Sequence, residues 1–301
     1  MTSNGNELKC PWVTLNNGTR FPQLGLGCAQ LEDSGNINMM IKEALDVGYR
    51  YFETAPLYGN EKELGAALKA SGYPRESYLL ASKLENEYQE YDKVFPAFEN
   101  TLKAMGVDYL DTYLIHNPAP SLDRYCEAWK AIEKLYEQGL VKSIGVSNFT
   151  EVHLQKLLAN CNVVPQRNSI ECNPYLTRDS LRNFCKQHDI WIDAWFPLGG
   201  QIIGSKGVQN PPPEILLLEN PIIVNIGKKY GKSPAQIVLR WHMQFGNIAI
   251  PKTTKPHRLR ENFDIFDFQL TEAEMSSITG LNYNYHHGLT ADDPRVFDMK
   301  A

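Results

Sequence analysis

The feature that most constrains how this chain can fold is a regular alternation of strand-like and helix-like segments. Eight short runs are rich in β-forming residues, and the stretches between them carry apolar residues at helical spacing. A strand, a helix and a further strand in succession predict parallel strands joined by right-handed crossovers. The eight runs are residues 24–28, 49–53, 78–83, 111–116, 142–146, 168–172, 190–195 and 248–252.

Short signals predict where several helices begin and which faces they bury. Ser233-Pro234 combines a capping serine with proline in the first turn, and Thr271 with Glu274 forms a capping-box pattern on the last helix. Ser121 is expected to cap the helix that follows it. Helical spacing is clearest in the set that precedes Gly48, which is Ile37, Met40, Ile41, Ala44 and Leu45.

Eight strand–helix units predict a closed barrel rather than an open sheet, because eight is the number that closes. An open nucleotide-binding sheet would carry G-x-G-x-x-G after its first strand, and here Gly25-Leu-Gly27 is followed by Cys-Ala-Gln. We therefore predict one (β/α)₈ TIM barrel domain over residues 1–301, with an N-terminal β-hairpin around Asn17-Gly18. Long top-face loops are expected at residues 199–219 and from residue 282 onward.

Composition and charge exclude several classes of partner. The net charge is −5, from 30 basic and 35 acidic residues mixed along the chain, so nucleic acid and anionic membranes are poor candidates. No apolar run approaches the roughly 20 residues that span a bilayer, and the first nine residues lack an apolar signal-peptide core. The 6 cysteines are scattered. We expect free thiols and a cytoplasmic protein.

Polar side chains stand at the carboxyl ends of predicted strands, where the active site of a barrel lies. Glu53, Lys83 and His116 end the second, third and fourth runs, and Tyr58 lies in the loop after Glu53. Hydride attack on a carbonyl builds negative charge on its oxygen, so a proton donor must stand beside that oxygen. Tyrosine is a slow donor at neutral pH unless a nearby cation favours its anion, and a carboxylate can keep that cation charged. These residue types indicate carbonyl reduction, with the histidine hydrogen-bonded to the same oxygen.

A metal-dependent hydrolase could use the same barrel, but it would need histidines and carboxylates clustered at strand ends. Only His116 is so placed. His286-His287 lies in the tail without partner spacing. We expect no metal site.

At these residues the chain resembles the aldo-keto reductase family, along nearly its full length. Residues 48–65, GYRYFETAPLYGNEKELG, are similar to the first family signature, and residues 142–149, KSIGVSNF, to the second. IPKT at residues 250–253, followed by Arg258, Glu261 and Asn262, is similar to the third. Shorter matches lie in order at residues 81–83, 114–117, 174–175 and 233–236.

The resemblance implies a barrel that binds NADP(H) without a Rossmann domain and reduces a small aldehyde, ketone or sugar-like carbonyl. It carries over Tyr58 as the acid, Lys83 as the cation that lowers its pKa, and His116 as the group that orients the carbonyl. Two cations beside a phosphate also make physical sense, because the phosphate takes charge-assisted donors. The implied cofactor contacts are Ser147 and Asn148 to the nicotinamide amide, Lys252, Thr253 and Arg258 to the 2′-phosphate, and Glu261 and Asn262 to adenine.

The chain departs from the family pattern at five positions. The catalytic aspartate is here Glu53, which is one methylene longer, and we expect it still to reach Lys83. Ser169 stands where a glutamine holds the nicotinamide amide, and Trp195 where a tyrosine stacks on nicotinamide. Ala29 and Asn117 replace two tryptophans of the substrate pocket. The last two changes predict a wider, more polar pocket and a bulky or polyhydroxylated substrate, unless a tail aromatic fills the gap.

An active NADPH-dependent reductase is the leading interpretation. The alternative is a cofactor-binding protein with little catalysis, such as a redox sensor or a partner subunit, which Glu53 and Ser169 favour. The intact set of Tyr58, Lys83 and His116 favours the enzyme. The resemblance also implies a monomer.

Overall fold

A β-hairpin precedes the barrel in the computed structural model, which describes residues 10–31, 36–200 and 215–286. Strands β1 (Trp12–Thr14) and β2 (Arg20–Pro22) pair antiparallel. Gly18 turns the chain between them with φ +82, a conformation that glycine adopts without steric cost. The predicted hairpin is therefore confirmed.

Eight parallel strands follow, and each of them overlaps one of the eight predicted runs. Strands that are adjacent in the sheet are also consecutive in the sequence, as expected where a helix connects each strand to the next. The strands are β3 (Leu26–Gly27), β4 (Tyr51–Glu53), β5 (Leu79–Leu84), β6 (Leu110–Ile115), β7 (Val141–Ser147), β8 (Arg167–Glu171), β9 (Trp191–Trp195) and β10 (Ile248–Ala249).

Backbone pairing between the first and the last parallel strand closes the sheet on itself. Leu24 forms a parallel bridge with Ala249. The Gly25 amide donates to the Ala249 carbonyl at 2.9 Å, and the Gly27 amide donates to the Pro251 carbonyl at 3.1 Å. The predicted (β/α)₈ barrel is confirmed, and all eight strands direct their carboxyl ends to one face.

Ten helices of the described residues connect the strands or follow the last of them. The predicted cap at Ser233 and the predicted capping box of Thr271 with Glu274 are both present, and Ser233 also forms a capping box with Gln236. The helices are α1 (Ile37–Val47), α2 (Glu61–Ala70), α3 (Tyr91–Met105), α4 (Tyr125–Glu137), α5 (Glu151–Leu158), α6 (Asp179–Gln187), α7 (Pro221–Tyr230), α8 (Pro234–Phe245), α9 (Pro256–Phe263) and α10 (Glu272–Thr279).

The prediction that Ser121 caps a helix is wrong. Helix α4 begins at Tyr125, and its N-cap is Arg124 without a side-chain cap. Ser121 lies in a preceding turn, in which the Leu122 amide donates to the Ala119 carbonyl. Asp123 has φ +50, so the helical conformation cannot extend back through this residue.

The hairpin covers the amino ends of the strands, which leaves the opposite face for the site. Val13 packs in one apolar cluster with Leu79 and Trp191, the first residues of β5 and β9. The ring of Phe21 lies edge-on to that of Tyr51, with centroids 4.6 Å apart. In the described part of the chain, no helix has the length and apolar character that crossing a membrane requires.

Candidate active site

Three neighbouring strands place the predicted catalytic side chains at the carboxyl end of the barrel. Glu53 ends β4, Lys83 lies at the end of β5, and His116 directly follows β6. Tyr58 lies in a short 3₁₀ turn after β4, at residues Pro56–Tyr58. Because β4, β5 and β6 pair in parallel, their ends meet and bring residues from three chain segments together.

Lys83 is the centre of this group. Its Nζ donates to Glu53 Oε1 at 2.8 Å, to the Thr54 carbonyl at 3.2 Å and to Tyr58 Oη at 3.3 Å. Both members of the ion pair are buried, with Lys83 2% and Glu53 4% exposed. The expectation that the longer acid still reaches the lysine is confirmed.

The charges of this pair stabilise each other in spite of burial. Burial alone would lower the pKa of Lys83, but the Glu53 carboxylate and the Tyr58 hydroxyl together outweigh burial, and the pKa is raised. Burial likewise opposes ionisation of Glu53, yet Lys83 and then Arg167 hold the pKa of this carboxyl below its ordinary value. The site therefore holds a lysine cation and a carboxylate anion at neutral pH.

Tyr58 differs from the expectation in one respect. Burial raises its pKa, Lys83 opposes that rise, and the net pKa remains above the ordinary tyrosine value. Lys83 therefore lowers the pKa only relative to what burial would produce. Because Lys83 donates to Tyr58 Oη, the phenol keeps its own proton, and among the described residues that proton has no acceptor. The phenol can donate it to a group bound in the cleft.

Glu85 belongs to the site, although the sequence reasoning did not identify it. Its two carboxylate oxygens lie 2.9 and 3.1 Å from His116 Nδ1, and Oε1 also accepts from the Leu57 amide at 3.2 Å. Burial opposes its ionisation, but the contacts to His116 lower the pKa of Glu85 below its ordinary value. The sequence spacing of Lys83 and Glu85 could have indicated this role. Residues i and i+2 of an extended segment point the same way, and Glu85 follows Lys83 by two residues.

A carboxylate at Nδ1 sets which edge of His116 faces the cleft. The carboxylate accepts a hydrogen bond, so Nδ1 carries a proton, and Nε2 lies on the other side of the ring. The ring stands edge-on to that of Tyr58, with centroids 5.9 Å apart. Glu85 thus ties the histidine to the turn that carries the tyrosine.

The ends of β7, β8 and β9 form a second cluster beside the first. Asn148 Nδ2 donates to the His116 carbonyl at 3.0 Å and to Asn117 Oδ1 at 2.9 Å, and Trp195 Nε1 donates to Asn148 Oδ1 at 3.1 Å. Asn148 has φ +63, a left-handed conformation that asparagine tolerates and that is common at functional sites. Ser147 Oγ donates to the Ser169 carbonyl at 3.0 Å.

One polar atom of this cluster points to a ligand. Ser169 is fully buried, and its hydroxyl has no hydrogen-bond partner among the described residues. A buried hydroxyl without a partner costs free energy, so a bound polar group would be stabilised there. The position lies beside Ser147, on the neighbouring strand.

Cationic side chains follow the last strand. Lys252 and Arg258 are exposed, and neither forms an ion pair within residues 10–31, 36–200 and 215–286. Lys252 lies at the rim beside Gly27 of β3. A methyl group in place of the Gly27 hydrogen would lie 3.7 Å from Lys252 Cβ. Thr253 is buried, and Arg258 lies in the first turn of α9, where a helix amino end favours an anion.

The remaining predicted positions follow β10 or lie at the ends of β3 and β6. Glu261 is half-buried and Asn262 is buried, both on α9. Ala29 is half-buried just after β3. Asn117 is also half-buried, and its side-chain oxygen already accepts from Asn148.

The tail aromatics contact the segment after β8. The amides of Tyr283 and Tyr285 both donate to the Tyr175 carbonyl at 3.1 Å, and Tyr283 remains 56% exposed. Much of the two predicted top-face loops, and His287 of the histidine pair, lie outside the described residues. His286 stands 3.3 Å from Arg178 and 3.8 Å from Glu171.

Comparison with known proteins identifies the family and the fold. The family model described as "Aldo/keto reductase family" matches residues 23–283. The "9,11-endoperoxide prostaglandin H2 reductase" of Trypanosoma cruzi is 42% identical over 93% of this chain and 95% of its own. The "Glyoxal reductase" of Bacillus subtilis is 40% identical over 93% and 96%. The crystal structure of a Bombyx mori aldo-keto reductase in complex with NADP superposes with a TM-score of 0.85, at 33% identity, over 94% and 96%.

Proposed function

We propose, from the premise that this chain belongs to the aldo/keto reductase family, that Tyr58, Lys83, Glu53 and His116 carry out its reaction. The protein is an oxidoreductase that reduces carbonyl compounds with NADPH. The observation that carries the assignment of residues is the position of Lys83 Nζ, 2.8 Å from the Glu53 carboxylate and 3.3 Å from the Tyr58 hydroxyl.

NADPH, when bound, would supply the hydride that the carbonyl carbon takes up. Tyr58 donates its proton to the carbonyl oxygen, on which negative charge develops. Lys83 stabilises the phenolate that remains, and Glu53 keeps the lysine charged and in place. His116, held by Glu85, contacts the same oxygen and orients the carbonyl.

The residues around the second cluster fit a nicotinamide cofactor. Ser169 offers a buried hydroxyl that lacks a partner, and Trp195 offers a partly exposed aromatic face. We propose that Ser147, Asn148 and Ser169 hold the carboxamide and that Trp195 packs against the ring. After β10, Lys252, Thr253 and Arg258 would bind the 2′-phosphate, with Glu261 and Asn262 at adenine.

The substrate is proposed to be a small aldehyde, ketone or sugar-like carbonyl. Relatives of nearly equal identity are named for glyoxal and for prostaglandin H2, so a wide range of substrate sizes occurs around this sequence. The replacement of two expected tryptophans by Ala29 and Asn117 favours the larger, more polar part of that range.

Steady-state NADPH oxidation with a panel of carbonyls tests the proposal. The panel should include glyoxal, a small aromatic aldehyde and a polyhydroxylated aldehyde. Tyr58→Phe should lower turnover by about 10²–10⁴-fold, the range for loss of a general acid, while NADPH still binds. Tyr88→Phe, at an exposed tyrosine of the neighbouring turn, is the matched control and should leave turnover unchanged.

Two outcomes would contradict the assignment. Near-normal turnover of Tyr58→Phe would remove this residue from the mechanism. Tight NADPH binding without turnover of any carbonyl would instead favour the cofactor-binding alternative, a redox sensor or partner subunit.

We further propose that residues 1–301 form one domain that acts as a cytoplasmic monomer. The 6 free cysteines favour a reducing compartment. Sedimentation of the purified protein, with and without NADPH, tests the oligomeric state.

A further inference from the structure

Two charged side chains lie where a barrel usually packs branched apolar residues. Arg167 of β8 and Asp193 of β9 are both completely buried, and Arg167 Nη1 donates to Asp193 Oδ2. The interior of such a barrel is normally filled by valine, isoleucine and leucine. A buried ion pair is often no more stable than an apolar pair of equal volume. Stability alone is therefore a weak reason for this pair.

The hydroxyl of Tyr51 connects the pair to the catalytic group. Tyr51 Oη donates to Glu53 Oε2 at 2.9 Å and accepts from Arg167 Nη1 at 3.0 Å. Asp193 Oδ2, at 3.3 Å, is the more distant acceptor for the same proton. Residues from opposite walls of the barrel thus meet directly beneath the catalytic acid.

The guanidinium is also held from below. Its central carbon lies 4.0 Å from the centroid of the Phe21 ring, on strand β2 of the hairpin. A planar guanidinium stacks well on an aromatic ring, which limits where it can move. Arg167 is therefore a fixed donor rather than an adaptable one.

The two oxygens of Glu53 have separate partners. Oε1 accepts from Lys83, and Oε2 accepts from Tyr51. The negative charge of Glu53 is further favoured by Arg167 and by the Tyr51 hydroxyl, which both lower its pKa. A glutamate has one more rotatable bond than an aspartate, so a second contact is needed to restrict it to one rotamer.

We propose that Tyr51, with Arg167 and Asp193 behind it, is a positioning residue that holds the longer acid Glu53 against Lys83. This inference rests on the proposed catalytic group of Tyr58, Lys83 and Glu53, and it adds a second layer beneath it. A purely structural hydroxyl would change stability when removed, but it would not change turnover selectively.

Removal of one hydroxyl tests the proposal with little disturbance of packing. Tyr51→Phe should lower kcat by roughly 10- to 100-fold, the cost of misplacing a catalytic group by about 1 Å, and should leave KM for NADPH within about twofold. Tyr49→Phe is the matched control, because Tyr49 is as deeply buried and its hydroxyl, within the described part of the chain, contacts only the Leu259 carbonyl, at 3.4 Å. Equal kcat values for the two variants would overturn the proposal.

A double-mutant cycle separates positioning from a general loss of stability. In Glu53→Asp the shorter acid is expected to reach Lys83 or Tyr51, but not both. Tyr51→Phe should then reduce kcat by less than about threefold in the Glu53→Asp background, against at least tenfold in the unmodified protein. Equal effects of Tyr51→Phe in the two backgrounds would overturn the proposal.

A third measurement does not depend on turnover. The crystal structure of Tyr51→Phe should show Glu53 Oε1 beyond hydrogen-bond distance of Lys83 Nζ, or Glu53 in two rotamers. A Glu53 side chain that stays in place, with its Lys83 contact intact, would overturn the proposal. If the unmodified protein reduces no carbonyl, the proposed function fails, and this structural measurement still decides whether Tyr51 positions Glu53.

Discussion

Replacement of Glu85 tests whether the second carboxylate of the site contributes to catalysis. Its oxygens lie 2.9 and 3.1 Å from His116 Nδ1, and its side chain is 16% exposed. Glu85→Gln keeps an acceptor for Nδ1 but removes the charge. Glu85→Ala removes the contact and also releases the Leu57 amide, which donates to the same carboxylate at 3.2 Å. The His116 ring would then be restrained mainly by its packing against Tyr58.

The expected magnitudes follow from the type of hydrogen bond. A bond to a charged group contributes about 1.5–3 kcal/mol and a neutral bond about 0.5–1.5 kcal/mol, so Glu85→Gln loses roughly 1 kcal/mol. If that loss falls on the transition state, kcat/KM decreases about fivefold to tenfold. Glu85→Ala loses roughly 2–3 kcal/mol, which corresponds to about 30- to 150-fold. The order of activity should be unmodified protein, then Glu85→Gln, then Glu85→Ala.

The assay is steady-state carbonyl reduction, with Glu87→Gln as the control. Glu87 is an exposed acid in the same short turn, so its change alters the local charge without touching His116. Nitrogen NMR of labelled histidine provides a second readout, because it reports whether Nδ1 carries a proton. If both Glu85 variants match Glu87→Gln in kcat/KM, the carboxylate is not part of the catalytic arrangement.

Three further predictions concern the cofactor, the acid stability and the pocket. Arg258→Ala should weaken NADPH binding far more than NADH binding. Arg260→Ala, which breaks an ion pair with Glu43, is the control and should not weaken NADPH binding selectively. Equal affinity of the unmodified protein for both cofactors would refute this prediction. Burial lowers the pKa of His242 to about 3 against about 6.5 unfolded, so the folded state binds fewer protons and stability is lost as pH falls through this window. The unfolding free energy relative to His242→Gln should fall by about 1.2 kcal/mol between about pH 6 and pH 5 in urea titrations, and a constant difference would contradict it. Asn117→Trp should impair polyhydroxylated aldehydes more than small aromatic ones, and equal impairment would argue against a wide pocket.

Most of the fold was predictable because the relevant signals are local. Each of the eight predicted runs overlaps a strand, since β-forming runs and helical spacing are read over a few neighbouring residues. The helix cap predicted at Ser121 was wrong because a positive φ at Asp123 decides where the helix begins. An aspartate in the sequence does not by itself predict a positive φ. The start of α4 therefore depends on turn conformation rather than on the presence of a capping residue.

The candidate site was predictable only to the extent that strand ends and family motifs mark it. Glu53, Lys83, Tyr58 and His116 were identified in that way, and the structure brings them together. Their supporting contacts were not predictable, because Glu85 pairs with a residue 31 positions away and Arg167 with one 116 positions away. The residues that flank Glu85 or Arg167 in the sequence do not indicate which distant side chain each of them will contact.

The longer acid connects these two observations. The substitution of glutamate for aspartate at position 53 looks, in the sequence alone, like a defect of the catalytic group. In the structure the extra methylene lets one carboxylate contact Lys83 above and Tyr51 below, and Arg167 provides the positive charge behind that second contact. Aspartate at this position should therefore not improve turnover, because the shorter acid would leave the Tyr51 hydroxyl with Asp193 Oδ2, at 3.3 Å, as its remaining acceptor.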